Sequence, residues 1–353
     1  MKQRRLFALL VIGAALLSKP ALSFAQTQTY TWNEVAGDLS DFSKDMRGAL
    51  AFISLTGLSW SDTYIGQLIN IRPHWGVGFN VGATTLKLDN LNTLLKKFGY
   101  TSDDSFMDKQ LLPVYTIDLR IGGFGSVPFD VGIKWGYLPY MKLFNDISYE
   151  VSVSGLDFRW EILDDWGSTP SIAIGLEASS VSGGLRSDGK ATLTGLSNFG
   201  NVTIGRNATA GVIWEGFVFG LKLQAAKSFW EPHLNSYAGL RVGGAVTKTG
   251  YQLSGGKDII IDVGSGTLTA LKDMSGSALG NLAKALESAS KHNTDFLVNE
   301  DTIVGLIERS GANFSLYTGI AFDFSNRTYF DIAIMVDILN SEVGANVSFR
   351  YQQ

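Results

Sequence analysis

Apolar and polar residues alternate along most of the chain with a period of two. In residues 127–137, VPFDVGIKWGY, the odd positions from Val127 to Tyr137 are all apolar, whereas the even positions include Asp130 and Lys134. Successive side chains of a β-strand point to opposite faces, so this pattern predicts a strand with one apolar and one polar face. The same alternation occurs in residues 75–81, 115–121, 147–162, 172–176, 208–214, 217–223, 234–242, 314–324, 330–338 and 343–351.

The polar faces carry all the charges inside these segments, and large aromatic residues lie near the segment ends: Trp75, Trp135, Tyr137, Trp160, Trp214, Phe324 and Tyr351. The segment lengths approach the roughly 9–11 residues that let a tilted strand cross a bilayer. These features predict an all-β fold, a transmembrane antiparallel β-barrel. A soluble periplasmic β-protein is the alternative, because a soluble antiparallel sheet also alternates. The apolar face changes phase at Gly155, which predicts a β-bulge there.

The predicted barrel has about fourteen strands, once residues 49–57, 63–70 and the weaker 257–263 are added. Short connections at 71–72, 125–126, 215–216 and 325–326 then fall on one side, and long ones at 87–111, 183–205 and 264–310 fall on the other. Outer-membrane barrels have short periplasmic turns and longer external loops, so we assign the short side to the periplasm. Omitting the two weakest strands leaves twelve as the alternative.

The N-terminus has the character of an export signal. A basic stub is followed by an apolar run from Leu6 to Leu17 and by the small-x-small sequence Ser23-Phe24-Ala25, so residues 1–25 are predicted to be a cleaved signal peptide. Residues 26–48 are predicted to form either a small plug or a disordered lead-in. Residues 49–351 are predicted to form one outer-membrane barrel.

Composition and charge narrow the class of protein further. The chain has 353 residues with no cysteine, 40 glycines, 21 Phe, 12 Tyr and 8 Trp. No disulfide or thiolate metal site is therefore available. Loss of the signal peptide leaves 25 basic against 33 acidic residues, a net charge of about −8. A chain without a basic patch is a poor partner for nucleic acid.

Two of the long loops have helical spacing of apolar residues. Leu91, Leu94, Leu95 and Phe98 predict a helix over 89–98, and Leu279, Leu282, Leu286 and Ala289 predict another over 275–291. Residues 300–310 are a candidate for a further short helix. Such helices either form a lid or constriction over the barrel mouth or pack on their own rim.

The sequence offers no catalytic, cofactor-binding or metal site. The three histidines, His74, His233 and His292, are scattered, and no spacing places one of them with Ser or Asp partners. The candidate functional residues are the charges that the alternation directs into the lumen, where they either satisfy one another or line a polar conduit that selects solutes. They are Asp118, Arg120, Asp130, Lys134, Glu150, Asp157, Arg159, Glu161, Glu177, Lys222, Arg241, Asp331, Asp337 and Arg350.

Four stretches resemble bacterial outer-membrane β-barrels of the spirochaete type: GLSWSDTYIGQL (57–68), WGVGFNVGATT (75–85), IDLRIGGFGSVPFDVGIKWGYLP (117–139) and VGANVSFRY (343–351). The resemblance is one of pattern and extends over most of the predicted mature chain. A count of fourteen strands is similar to the long-chain fatty-acid transporter family. That resemblance implies uptake of hydrophobic molecules through a barrel closed by an N-terminal plug.

We therefore expect a non-enzymatic barrel of the bacterial outer membrane that passes small solutes, polar or hydrophobic. The expected partners are outer-membrane lipid, the barrel assembly machinery and a small solute or hydrophobic ligand, with no nucleic acid and no cofactor. The alternative is a surface-exposed structural or adhesion barrel whose long loops bind a partner. An outer-membrane enzyme is a more distant possibility.

Overall fold

Ten antiparallel strands form a closed barrel in the computed structural model. The structure describes residues 29–57, 60–63, 65, 74–87, 89–97, 109–123, 127–144, 147–166, 168–188, 192–194, 201–204, 207–229, 234–263, 267–290, 294–325 and 327–353. The barrel strands are β2 (His74–Lys87), β3 (Lys109–Gly122), β4 (Phe129–Phe144), β5 (Ile147–Leu163), β6 (Ser171–Asp188), β9 (Thr209–Phe229), β10 (Leu234–Ser254), β14 (Thr302–Asp323), β15 (Thr328–Asp337) and β16 (Glu342–Gln352). The pairings β16–β2 and β10–β14 complete the circle.

The remaining elements lie at one end of this barrel or inside it. A second sheet contains β1 (Thr29–Thr31), β7 (Thr192–Thr194), β8 (Asn201–Ile204), β11 (Ile259–Asp262) and β12 (Leu268–Ala270), and β13 (Thr294–Val298) pairs with the first part of β14. The helices are α1 (Trp32–Leu55), α2 (Asp89–Lys97) and α3 (Gly276–Ala289), with a 3₁₀ turn at Leu271–Asp273. We call the second sheet with α3 the cap.

Among the described residues, no helix is both long and apolar enough to span a membrane.

The three long connections all lie at one end of the barrel, together with the short links between β4 and β5 and between β15 and β16. At the opposite end, which we call the short-turn end, β3 joins β4 across residues 123–128 and β14 joins β15 across 324–327, and the chain ends at Gln353. The other end, the long-loop end, carries the connections that follow β2, β6 and β10. The predicted separation of short from long connections is confirmed here, except at 215–216. The predicted connection at 71–72 lies outside the described residues.

The predicted strand count was wrong. Residues 49–55 belong to α1, and residues 208–214 and 217–223 belong to one continuous strand, β9, with no turn at 215–216. Residues 259–262 form β11 in the cap and not in the barrel. Of the predicted strand 63–70, the described residues Thr63 and Ile65 form a bend and a turn, and the rest lies outside the described residues. Ten barrel strands therefore replace the predicted fourteen or twelve.

The outer surface of the barrel carries an apolar belt. In β4 the odd residues Val131, Ile133, Trp135 and Tyr137 are exposed, whereas Asp130 and Lys134 are buried, as the alternation predicted. The belt continues on the other strands and includes Phe79, Ile117, Leu156, Leu176, Phe219, Val242, Leu316, Ile334 and Phe349. Exposed apolar surface on this scale is unusual for a protein surrounded by water.

Above the belt, towards the long-loop end, the polarity of the wall is reversed. On β5, Tyr149, Val151 and Val153 point inward and are buried, whereas Glu150 and Ser154 point outward. On β9, Val212 and Trp214 point inward and Glu215 is exposed, while Phe217 and Phe219 further along point outward. The strand does not change phase; the apolar environment moves from the outside of the barrel to its inside.

This reversal corrects two further predictions. The pairing of β5 continues in register through Gly155, so no bulge occurs there; the irregularities of β5 lie opposite Leu138–Phe144 and at Glu161–Leu163. Residues 302–310, predicted to be part of a short helix, belong to β14, where Ile303 and Ile307 are buried inward. The other two loop helices are confirmed as α2 and α3, although Phe98 lies outside the described residues.

Candidate functional site: the filled lumen

Residues 32–65 run through the inside of the barrel; residues 58, 59 and 64 lie outside the described part of the chain. We call this stretch the lumenal segment. Helix α1 begins with a capping box in which the Thr31 side chain accepts from the backbone N–H of Glu34 and the Glu34 carboxylate accepts from the Thr31 backbone. All residues from Gly48 to Leu55 are buried, so the second half of the helix is enclosed on every side.

The first half of α1 packs into an apolar core within the upper barrel. Val35, Leu39, Phe42 and Met46 recur at helical spacing and are fully buried. They belong to one buried apolar cluster with inward residues of the wall and the cap, among them Val181, Val212, Trp214, Leu253, Ile259, Leu282, Leu286 and Ile303. The wall turns apolar inward because it packs here on an amphipathic helix and not on water.

The opposite face of this half of the helix is open to solvent. Asp41 and Lys44 form an exposed ion pair with 2.6 Å between Oδ1 and Nζ. The barrel wall beside this face is shorter at the long-loop end, because β2 ends at Lys87 and β15 ends at Asp337. Asn90 of α2 donates to Asp45 at 2.7 Å across this shorter wall.

The lower lumen contains a network of buried charges. Asp130 accepts from Arg120 and from Arg159, whose Nη2 lies 2.6 Å from Oδ2. Arg120 also donates to Asp157 at 2.5 Å, and the Asp157 carboxylate in turn pairs with Lys222 at 2.5 Å. These residues lie on β3, β4, β5 and β9, so the chain of ion pairs follows the curve of the wall and crosses over β6.

The network continues around the barrel through Glu177. Lys222 Nζ lies 3.2 Å from Glu177 Oε2, and Arg241 Nε donates to the other carboxylate oxygen. Arg241 Nη1 also donates to Asn313 at 2.5 Å. Each charge of this network thus has an opposite partner, which is the condition under which burial of ions is tolerated.

The wall holds the end of the lumenal segment through Trp60. Its indole Nε1 donates to Asp118 Oδ2 at 2.8 Å, and the Arg120 and Arg350 guanidinium carbons lie 5.5 and 5.0 Å from its ring centroid. Arg350 also pairs with Asp331 at 3.2 Å and donates to Ser61 at 2.8 Å. A fully buried aromatic ring between two cations is stabilised by cation–π attraction as well as by packing.

Further polar contacts fix the backbone on both sides of Trp60. Lys134 Nζ donates to the carbonyl oxygens of Ser54 and Thr56, the latter at 3.0 Å, and so places a cation at the C-terminus of α1. Gly57 follows with a φ of +86°, a conformation that favours glycine and turns the chain out of the helix. Asp62 accepts from Gln352 at 2.7 Å, and the backbone N–H of Ile65 donates to Asp130 at 2.7 Å.

The structure places the candidate lumenal charges together, with one exception. Asp118, Arg120, Asp130, Lys134, Asp157, Arg159, Glu161, Glu177, Lys222, Arg241, Asp331, Asp337 and Arg350 are all buried. Asp337 lies nearer the long-loop end, where it accepts from Ser315 at 3.2 Å. Glu150 was predicted wrongly, since it faces outward into a groove of about 550 Å³ on the outer wall, beside Glu215 and Lys248. The reversal of polarity along β5 explains the error.

Sequence reasoning missed Trp60, Asp62 and Thr63, which the wall binds directly. Thr63 donates to Glu161 at 2.5 Å, and Asn235 donates to Asp62 at 3.2 Å. Residues 57–68 contain no alternating face that would reveal these roles, and the described residues of this stretch, 57, 60–63 and 65, are all buried. The one available signal for these roles was the sequence Trp60-Ser61-Asp62-Thr63, which places three polar residues inside an otherwise apolar stretch.

The described part of the chain offers few side chains for metal binding or for histidine chemistry. No group of three or more His, Cys, Asp or Glu side chains there is arranged to hold a metal ion. His74 is buried at the start of β2, next to Gly123. His233 and His292 lie outside the described residues.

Comparison with known proteins gives similarities of fold. No protein-family model and no curated protein matches the sequence. Solved structures that resemble it include the outer membrane protease OmpT from Escherichia coli, with 6% identity, 81% of this chain and 100% of that chain covered, and a TM-score of 0.36. The translocator domain of autotransporter NalP from Neisseria meningitidis has 10% identity, 91% and 98% coverage and a TM-score of 0.32. The KdgM porin has 5% identity, 78% and 98% coverage and a TM-score of 0.26.

These neighbours are barrels of bacterial outer membranes, but the scores are too low to carry any statement about activity, ligand or partner. The resemblances to spirochaete-type barrels and to fatty-acid transporters stay predictions. The geometry of the lumen is therefore the basis for a functional assignment.

Proposed function

We propose that this protein is a non-enzymatic barrel of the bacterial outer membrane that is closed at rest and presents its cap at the cell surface. The proposal includes export by a signal peptide at residues 1–25 and assembly by the barrel assembly machinery. The single observation that carries it is the lumenal segment, which fills the barrel from the cap to the short-turn end and is held there by buried hydrogen bonds and by cation–π contacts with Trp60.

The apolar belt supports the membrane location. The outward residues from Val127 to Tyr137, on and just before β4, cover about 33 Å along the strand and about 25 Å along the membrane normal at a tilt of about 40°, which is the height of the apolar band of outer-membrane barrels. Below the belt, the rings of Trp75 and Tyr351 have their centroids 5.8 Å apart. This pair lies near the short-turn end, where interfacial aromatic residues are expected. With short turns in the periplasm, the cap projects from the cell surface.

The filled lumen favours a closed barrel over the pore or transporter for small solutes expected from sequence. The lumenal charges satisfy one another and bind the segment at Trp60, Asp62 and Ile65. The burial of all residues from Gly48 to Leu55 supports a lumen with little space for water or solutes beside this part of the helix. The surface-exposed structural or interaction barrel, the alternative weighed from sequence, therefore becomes the leading proposal.

Gated passage of a small solute is the second candidate. It is favoured by the charges of both signs that would line the lower lumen once the lumenal segment moved away, since such rings select solutes in open barrels. Only non-covalent contacts of the segment would have to break. The substrate of such a gate, polar or hydrophobic, would enter after displacement of residues 56–65.

Conductance of refolded protein in planar lipid bilayers tests the proposal. The matched variants are Trp60→Ala, which removes the ring between Arg120 and Arg350, and Trp166→Ala, which removes a tryptophan that is 85% exposed. We expect no discrete channels from the intact chain or from Trp166→Ala. Discrete channels from the intact chain would overturn the closed barrel and favour a pore.

Trp60→Ala decides between the two candidate functions. Channels that appear in this variant alone would show that the segment closes a conduit, as the gated candidate requires. A folded variant that stays silent would leave the structural or interaction barrel. Folding of each variant is checked by the heat-dependent shift in gel mobility that is typical of stable barrels.

A further inference from the structure

The lumenal segment has a defined direction. At the long-loop end, Trp32 packs on Tyr251 and Phe296, with ring centroids 5.6 and 6.1 Å apart. In the middle, Ser40 accepts from Arg309 at 2.7 Å, and Arg47 donates to the carbonyl oxygen of Ser310 at 3.0 Å. The chain therefore enters the barrel from the cap.

The other end of the segment lies at the short-turn end of the barrel. Trp60 binds Asp118, Asp62 binds Gln352, and Ile65 binds Asp130. Gln352 and Asp130 are themselves at strand ends close to the turns, since β16 ends at Gln352 and β4 begins at Phe129. The first barrel strand, β2, then starts from this same end at His74.

The residues before the helix are built into the cap. Thr29, Tyr30 and Thr31 pair in parallel with Thr192, Leu193 and Thr194 of β7. This pairing places β1 in a sheet formed by the long loops that follow β6 and β10. The position of residues 29–31 at the long-loop end thus rests on backbone pairing as well as on the contacts of Trp32.

Helix α1 covers much of the distance between the cap and the short-turn end of the barrel. Its 24 residues span about 36 Å at about 1.5 Å per residue, compared with a hydrocarbon core of about 30 Å. It is too polar to cross lipid on its own, since it carries Asp38, Asp41, Lys44, Asp45 and Arg47. The wall encloses its residues Gly48–Leu55, whereas Ser43 lies level with the upper edge of the belt, where it contacts Thr247 and Thr249.

From this geometry we infer that the N-terminal part of the mature chain crosses the outer membrane inside its own barrel, so that residues 29–31 lie on the cell surface while residue 65 lies at the periplasmic side. The inference rests on the orientation in the proposed function. It assigns a second task to the barrel, which is to carry its own N-terminal segment outward during assembly. Sequence joined in front of residue 29 would be displayed on the surface beside the cap.

The contacts at both ends explain why the segment would stay threaded. β1 is paired in the cap, and the ion-pair network holds Trp60 and Asp62 below. Between these ends the segment packs closely on the barrel wall. At Gly344, for example, an added Cβ would collide with the Phe52 ring. Withdrawal in either direction would have to break one set of contacts.

Accessibility in intact cells tests the inference, and the absence of cysteine makes the chain suitable for single-cysteine labelling. One reporter is a short epitope inserted between residues 27 and 28, and a second is Asp41→Cys on the exposed face of α1. Glu287→Cys on α3 reports the cap, and Arg327→Cys reports the short-turn end; both positions are exposed. The probes are an antibody and a maleimide reagent too large to pass the outer membrane.

We expect the epitope, Asp41→Cys and Glu287→Cys to react in intact cells and Arg327→Cys to react only after the outer membrane is disrupted. If Glu287→Cys reacts but both N-terminal reporters stay silent until disruption, the threaded path is overturned and the orientation stands. If Glu287→Cys is silent and Arg327→Cys reacts, the proposed orientation itself fails. If Asp41→Cys reacts in intact cells but the antibody binds the epitope only after disruption, residue 28 does not lie on the cell surface. That result would overturn the surface position of the N-terminus.

Discussion

A lysine at Phe219 should prevent stable insertion, whereas a lysine at Glu215 should not. Both residues point outward from β9 and are exposed, Phe219 at 49%. They are four residues apart, which is about 13 Å along a strand at about 3.3 Å per residue and about 10 Å along the membrane normal at a tilt of about 40°. If Glu215 marks the upper edge of a belt about 25 Å tall, Phe219 lies within a few ångströms of the midplane.

The expected magnitudes follow from this depth. A lysine near the midplane of a barrel costs about 2–4 kcal/mol, and one at the interface costs about 0–1 kcal/mol. Phe219→Lys should therefore lower the free energy of unfolding by about 2–3 kcal/mol more than Glu215→Lys. Phe219→Ala serves as the control, because it removes the ring contact with Phe217, at 6.4 Å between centroids, without adding a charge.

Urea titration of the protein in lipid vesicles, followed by tryptophan fluorescence, measures these differences. Phe219→Lys should be the least stable of the three variants and should also insert most poorly. Equal stability of Phe219→Lys and Glu215→Lys would refute the placement of the belt in lipid. It would favour the soluble barrel instead, on whose surface a lysine is tolerated.

Two further predictions concern the lumen. Asp130→Ala should destabilise the folded barrel by about 3–5 kcal/mol, because it leaves the guanidinium groups of Arg120 and Arg159 partly unpaired, whereas Asp41→Ala in an exposed pair should change stability by less than about 1 kcal/mol. Urea titration measures both, and similar small effects would contradict a structural role for the network. Lys134→Met should cost up to about 2 kcal/mol, because it removes the cation at the C-terminus of α1, and protease cleavage between residues 48 and 65 should increase. An unchanged cleavage pattern would argue against this anchor.

The belt was predictable from the sequence because every strand of the lower barrel lies between the same two environments. Each of these strands is apolar outward and polar towards the lower lumen, so residues 127–137 or 343–351 alternate without exception. The same alternation located the buried charges from Asp118 to Arg350, apart from Glu150. It did not indicate which charge pairs with which, since that depends on the register between strands.

The upper barrel could not be predicted in this way. On β5 and β9 the apolar face moves to the inside, and in sequence this looks like a bulge at Gly155 or a turn at 215–216. A single strand that passes from one environment into another of opposite polarity has the same pattern of apolar and polar residues as two separate strands. Only the presence of α1 inside the barrel distinguishes them.

By itself, the sequence determined that the chain forms antiparallel strands with an apolar outer belt, inward charges, short turns at one end and helix-bearing loops at the other. Those features depend on neighbours within a few residues and on the surrounding solvent. The tertiary structure alone decided that ten strands close the barrel and that residues 32–65 fill it. The second half of α1 is enclosed by protein on all sides, so its sequence does not show the helical alternation of apolar and polar residues that solvent on one face would impose. Residues 49–57 therefore looked like one more strand.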